Sequence, residues 1–312
     1  MAEARPGGPE SVADGAAPAG GRSTGRRGGV CNGPMAAVST VSAWTDLLLT
    51  RSALCLGLAP SPKWLGAWGL PDDVGGARRM CGAVLEAAGD RVSVYRIQVP
   101  FFARFGGAGT ALLRDVVDGV HGRGSLAVLD AKVCDADDTM DSYADLYLGP
   151  DSVLGGDAVT ATPFMGFAAL DPLLRRARES GTLVMVLVRT SNHAAGGVQG
   201  ARAGTRTVAQ RTADEVQEWN ERHGTAAAAV VGADRAEAAE LVSRMPSAVV
   251  ELPGLGRAGR ETGDLVAVAA GAPGRAVLPV TTGVLRHGPD VAALRAGIAS
   301  WRAEIGAGVP AC

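Results

Sequence analysis

Eight short apolar runs, separated by stretches with helical spacing, limit the fold of this chain more than any other feature. They read "LCLGLAP" (54–60), "VSVYRIQV" (92–99), "LAVLDAK" (126–132), "DAVTATP" (157–163), "LVMVLVRT" (183–190), "AAAAVVGAD" (226–234), "SAVVELPG" (247–254) and "AVLPVTTG" (276–283). Each is almost continuously apolar, as a parallel strand covered on both faces should be. The intervening segments, such as "GAGTALLRDVVDGVHGRG" and "RTVAQRTADEVQEWNERHG", carry apolar residues at helical intervals and end on glycine. Eight strand–helix units in about 250 residues predict a (β/α)8 TIM barrel. A doubly wound α/β sheet is the alternative, but it rarely needs eight regular repeats.

The 312 residues are 47% hydrophobic and 20% charged, enough to bury a sizeable core. Up to Pro34 the chain is Gly, Ala, Pro, Ser and Arg with almost no large apolar side chains. Residues 1–36 are therefore expected to form a disordered tail and 37–312 the barrel domain. Arg26-Arg27 raises a twin-arginine export signal, but "GGVCNGPMAAVSTVS" is polar for a signal core. No apolar stretch approaches the roughly 20 residues that span a bilayer. A net charge of −2 offers no footprint for nucleic acid or an anionic membrane. Five cysteines, with no CxxC pair, fit unpaired thiols in a reducing compartment, and the cytoplasm is the expected location. Four scattered histidines suggest no metal site.

At the end of the third run, "VLDAKVCDADDTM" (128–140) gathers four aspartates and a lysine. Clustered carboxylates repel and a lone buried lysine is costly, so the cluster is either a solvated loop or a charged site. Asp130 and Lys132, two residues apart, point to the same side of the strand, and Asp135 follows in the loop. An ion pair plugging the barrel mouth is the plainer reading. Active sites of this fold sit at that rim, which favours chemistry.

These residues resemble the D-x-K-x-x-D segment of the orotidine 5'-monophosphate decarboxylase family, and the similarity runs from residue 44 to 305. "LCLGLAPSPKWLGAWGLP" is similar to that family's first strand and loop, and "YRIQVPFFARFG" to its second strand. "DAVTATPFMGFAAL", "VRTSNHAAGGVQ" and "VVGAD" match blocks four to six, and "LPGLGRAGR" and "VLPVTTGVLRHGP" the last two. The resemblance implies a cofactor-independent decarboxylase acting on a small nucleotide-like carboxylate, and a homodimer with shared sites. It further implies an alternating lysine–aspartate array made by Arg96, Asp130, Lys132 and Asp135, the last donated by the partner subunit. Lys132 would protonate the carbanion left by loss of CO2, beside the Asp130 carboxylate. Thr139 would come from the same partner loop. Gln98, Thr160, Pro163, Ser191, Asn192, Gln199, Gly254 and Gly256 would bind substrate.

Four places depart from the pattern, one of them Val133-Cys134, where the family reads Arg-Gly. Arg96 stands for the outer lysine, keeping the charge without the compact ammonium. Ala59 replaces the aspartate that holds the ribose hydroxyls. Thr282-Gly283 stands where a phosphate-gripping arginine and glycine are expected. "GLGRAG" (254–259) matches GxGxxG and is open to two readings, a phosphate rest or a plain turn. Arg257 and Arg260 beside it are either a relocated anion clamp or solvated. Cys134 is read as a small packing residue rather than a nucleophile, since no histidine lies near it in sequence. The five tryptophans, on helical segments, are expected in packing roles.

Together these features favour a carbon–carbon lyase of this type with a diverged substrate. The alternatives are a true orotidine 5'-monophosphate decarboxylase of pyrimidine synthesis, or a relative that uses the lysine for another proton transfer or only binds.

Overall fold

Eight parallel strands close on themselves in chain order in the computed structural model, which describes residues 40–256 and 262–309. They are β1 (Leu54–Leu58), β2 (Val94–Ile97), β3 (Leu126–Val133), β4 (Ala158–Ala161), β5 (Leu183–Arg189), β6 (Ala227–Val231), β7 (Val250–Glu251) and β8 (Ala276–Val280). β1 pairs with both β2 and β8, which seals the barrel. Helices follow the strands, so the expected (β/α)8 barrel is the fold. The tail expected over 1–36 lies outside the described residues.

Successive strand residues face opposite sides, and the apolar side chains accordingly split into two clusters. Cys55, Val94, Val128, Ala158, Met185, Ala228, Val249 and Val277 fill the barrel interior. Trp44 and Leu48, from the helix Thr40–Thr50, join that cluster before β1 begins and stop the N-terminal end. The alternate residues, among them Leu56, Tyr95, Leu129, Val159 and Leu278, pack outward in the cluster shared with the helices. Continuous apolar runs were needed because both faces are covered.

Local signals set the helix boundaries. Asp73 accepts from the Gly76 amide, Asp290 from the Ala293 amide, and Thr207 with Gln210 forms a reciprocal capping box. Each such cap contributes about 1 kcal/mol.

Three features differ from the sequence reading. The seventh strand keeps two residues of the run 247–254, because Pro253 has no amide to donate and Gly254 turns away at φ 139°. A small hairpin, Arg202–Ala203 against Arg206–Thr207, interrupts the stretch after β5. Two-residue strands carry no detectable alternation. Finally, β3 shifts register between Leu129 and Val133, and Lys132 adopts φ 49° there.

Candidate active site

Stepping two residues up from the apolar interior changes the chemistry on four of the strands. Val94 gives way to Arg96, Val128 to Asp130, Ala158 to Thr160 and Val249 to Glu251. One step higher stand Gln98, Lys132 and Thr281, with Ala59 on β1's extension. The barrel is thus dry below and charged at its C-terminal mouth. A cleft of about 630 Å³ opens there, lined by Arg96, Gln98, Asp130, Lys132 and the loops after β5, β7 and β8.

Asp130 is the hub. Its side chain is 2% exposed, whereas Lys132, reaching over it, is 51% exposed. Lys132 Nζ donates to Asp130 Oδ1 at 2.6 Å, and Thr160 Oγ1 donates to the same oxygen at 3.0 Å. Thr160 Oγ1 in turn accepts from the Lys132 amide at 2.9 Å, which pins the bulged strand. Arg96 Nη2 lies 3.1 Å from Asp130 Oδ2. A buried carboxylate is tolerable only with such partners, and these are charge-assisted.

Behind Arg96 lies an acid that the sequence reading missed. Glu251 is wholly buried, and its Oε1 is 3.3 Å from Arg96 Nε. Burial pushes its carboxyl above the ordinary carboxylate range; Arg96 opposes that shift and Asp130 adds to it. Burial also works against the Arg96 guanidinium, but Glu251 and Asp130 outweigh it and hold the charge. The available signal was one acid inside the apolar run "SAVVELPG".

The loop after β5 folds back on itself. Gln199 Oε1 accepts from the Thr190 amide at 2.9 Å, and Thr190 Oγ1 donates to Asn192 Oδ1 at 2.7 Å. Ser191, Asn192 and Gln199 thereby face the cleft, opposite Ala59 and Trp64. Gly254 also lines it, whereas Thr160 supports Asp130 from below.

Most of the remaining expected positions stand apart from the cleft wall. Asp135 accepts from the Ala136 amide and, among the described residues, forms no salt bridge. Thr139 is exposed on the helix Asp137–Tyr147, and Pro163 sits half-buried beyond β4. Gly256 packs near Trp301 and Gly283. Arg257 and Arg260, the relocated clamp of the sequence reading, lie outside the described residues. Thr282 is exposed at the rim of the cleft, and Gly283 is buried with a Cβ position 2.7 Å from the Trp301 ring.

A closed parallel barrel with a lysine–carboxylate array at its C-terminal mouth has the layout of an enzyme whose site lies at the strand ends. The Orotidine 5'-phosphate decarboxylase / HUMPS family model matches residues 52–296. An orotidine 5'-phosphate decarboxylase of Salinispora arenicola is 43% identical over 250 residues, 79% of this chain and 89% of that protein. The Streptomyces coelicolor enzyme of the same name is 39% identical, over 84% of this chain and 95% of that one. A Streptomyces avermitilis crystal structure, provisionally named for the same decarboxylase, superposes with TM-score 0.80 at 37% identity. It covers 87% of this chain and 96% of that one. The chain belongs to the orotidine 5'-phosphate decarboxylase / HUMPS family, and it is a carboxy-lyase of that family's type. No helix among the described residues is long and apolar enough to cross a membrane.

Proposed function

We propose that the protein decarboxylates orotidine 5'-monophosphate to uridine 5'-monophosphate, the true-decarboxylase alternative of the sequence reading. One observation carries it: Lys132 Nζ sits 2.6 Å from the buried Asp130 carboxylate in the mouth of the barrel. The relatives, 34–43% identical, bear that enzyme's name, which supports this reading over a diverged substrate.

In the proposed reaction the C6–carboxylate bond breaks, CO2 leaves, and its electron pair stays on C6. Lys132 delivers a proton to that carbon and recovers one from water. Asp130, fixed by Thr160 and Arg96, confronts the substrate carboxylate and disfavours the ground state. The lysine ammonium stabilises the charge that develops. Both groups are held before substrate arrives, so little reorganisation is needed during reaction. No metal or organic cofactor enters these steps. Gln98, Asn192, Ser191 and Gln199 are suited to the pyrimidine and the loop over it.

The finer proposal includes a cytosolic homodimer in which Asp135 and Thr139 reach the partner's Lys132. Phe164 and Met165, 78% and 56% exposed beside Pro163 on the same rim, suit a covered apolar face.

A second reading rests on Ala59 and Thr282: with ribose and phosphate contacts reduced, the substrate is a related carboxylate without the 5'-phosphate. Complementation of a uracil-requiring strain lacking the decarboxylase, with purified-enzyme turnover of orotidine 5'-monophosphate and of orotidine, separates the two. Growth and a preference for the phosphorylated substrate support the first. Failure of growth with turnover of orotidine alone overturns it in favour of the second.

A further inference from the structure

Glu251 is a wholly buried acid, and the reaction above gives it no task. Neither of its carboxylate oxygens has a hydrogen-bond partner, and the Arg96 Nε–H facing it is not aligned for one. The groups that face it are the buried Cys55 thiol from β1, Arg96 from β2, and Asp130 and Lys132 from β3. Burying a carboxylate on a 3.3 Å ion pair without hydrogen bonds returns little of its desolvation cost. An apolar side chain would fill β7 at less cost.

The cation nearest Glu251 is Arg96. A guanidinium offers two parallel donors that match a carboxylate, and an unrestrained arginine beside Asp130 would take both oxygens. Instead Arg96 is divided between two acids: its Nε lies 3.3 Å from Glu251 Oε1, and its Nη2 lies 3.1 Å from Asp130 Oδ2. Asp130 Oδ1 is left to Lys132 and Thr160.

We propose that Glu251 is a positioning residue that acts through Arg96, dividing the guanidinium so that Asp130 keeps one oxygen for Lys132. The proposal rests on the reading of Lys132 and Asp130 as the reacting pair. It explains how an arginine is accommodated beside an aspartate that must also hold a lysine. A lysine at position 96, with no second prong, would not need Glu251.

Crystal structures and steady-state kinetics of Glu251→Gln and Arg96→Lys/Glu251→Gln test it. In Glu251→Gln, Arg96 should grip both Asp130 oxygens, and Lys132 Nζ should leave hydrogen-bond distance of Oδ1. With orotidine 5'-monophosphate, kcat should fall about tenfold or more while KM moves less than about threefold. The double variant should recover most of that loss, although it carries one more substitution. A purely structural role would make activity follow the melting temperature in both variants, with no rescue. If Arg96 keeps its single contact in Glu251→Gln, or the double variant is no better than the single, the proposal is overturned. Should Glu251→Gln not fold, Glu251→Leu with and without Arg96→Lys carries the same comparison. A wild-type protein inactive on orotidine 5'-monophosphate would refute the assigned reaction, and the position of Arg96 in the variant structures would still decide the role of Glu251.

Discussion

Thr282 stands exposed at the rim of the cleft that Gly254 and the loop after β5 also line. A threonine there offers one hydroxyl where an arginine would offer a charged fork. If a 5'-phosphate binds at this rim, Thr282→Arg should tighten uridine 5'-monophosphate by about 10- to 100-fold, the 1.5–3 kcal/mol of a hydrogen bond to a charged group. Uridine affinity should stay unchanged. Calorimetric titration with both ligands reads the difference; equal affinities before and after substitution would place the anion elsewhere. The residues of this site were unequally legible. Asp130 and Lys132 could be read because both lie on one strand, where spacing reports direction. Their mutual contact depends on the left-handed turn at Lys132 as well, which no spacing rule supplies. The pairing of Arg96 with Glu251 joins β2 to β7, strands that are not neighbours, and an acid in an apolar run gives no hint of its partner.

Among the elements, β4 and the helix Gly106–His121 are tied by one ion pair. His121 Nε2 lies 2.7 Å from Asp157 Oδ2, which also accepts from the Ala127 amide. The hydrogen bond to Asp157 raises the His121 pKa above its ordinary value, partly opposed by burial. A raised folded value means that the stabilisation is fully present below about pH 6.5 and fades as pH rises through the folded pKa. His121→Ala should therefore lower stability at pH 5.5, and the deficit should shrink towards pH 9. The imidazole is 38% exposed, so solvent screening limits the effect to about 0.5 kcal/mol. Denaturant titrations of both proteins at the two pH values measure it, and a deficit that grows with pH would contradict the sign. Legibility was high at this scale, since doubly covered strands announce themselves as apolar runs. It failed at β7, where the run continued past the point at which Pro253 ends the pairing. The hairpin near residue 204 escaped for the opposite reason, being too short to show any pattern.

For the whole molecule, the separation of Asp135 from its own Lys132 matters most under the shared-site proposal. An inactive Lys132→Ala protein mixed with an inactive Asp135→Ala protein should regain activity as subunits exchange. Half of the dimers would be mixed and each would hold one complete site, so recovery should approach about a quarter of the wild-type rate. Co-purification of differently tagged subunits would confirm exchange. Exchange without recovery would show that each subunit works alone. The barrel itself followed from repeat number, a property of the whole chain, whereas the proposed subunit association would leave as its trace an aspartate-rich loop and exposed apolar side chains such as Phe164 and Met165.

Lys132 occupies a backbone conformation, φ 49°, that costs a residue with a side chain about 1–2 kcal/mol and glycine almost nothing. The position on which the proposed chemistry turns is thus one where the chain would fold more readily without it. Selection for soluble yield alone would favour glycine at 132 and so drift towards a sturdier, inert barrel. Foldability and turnover pull in opposite directions at this residue, and any laboratory evolution of this enzyme for stability will need an activity screen to hold the lysine in place.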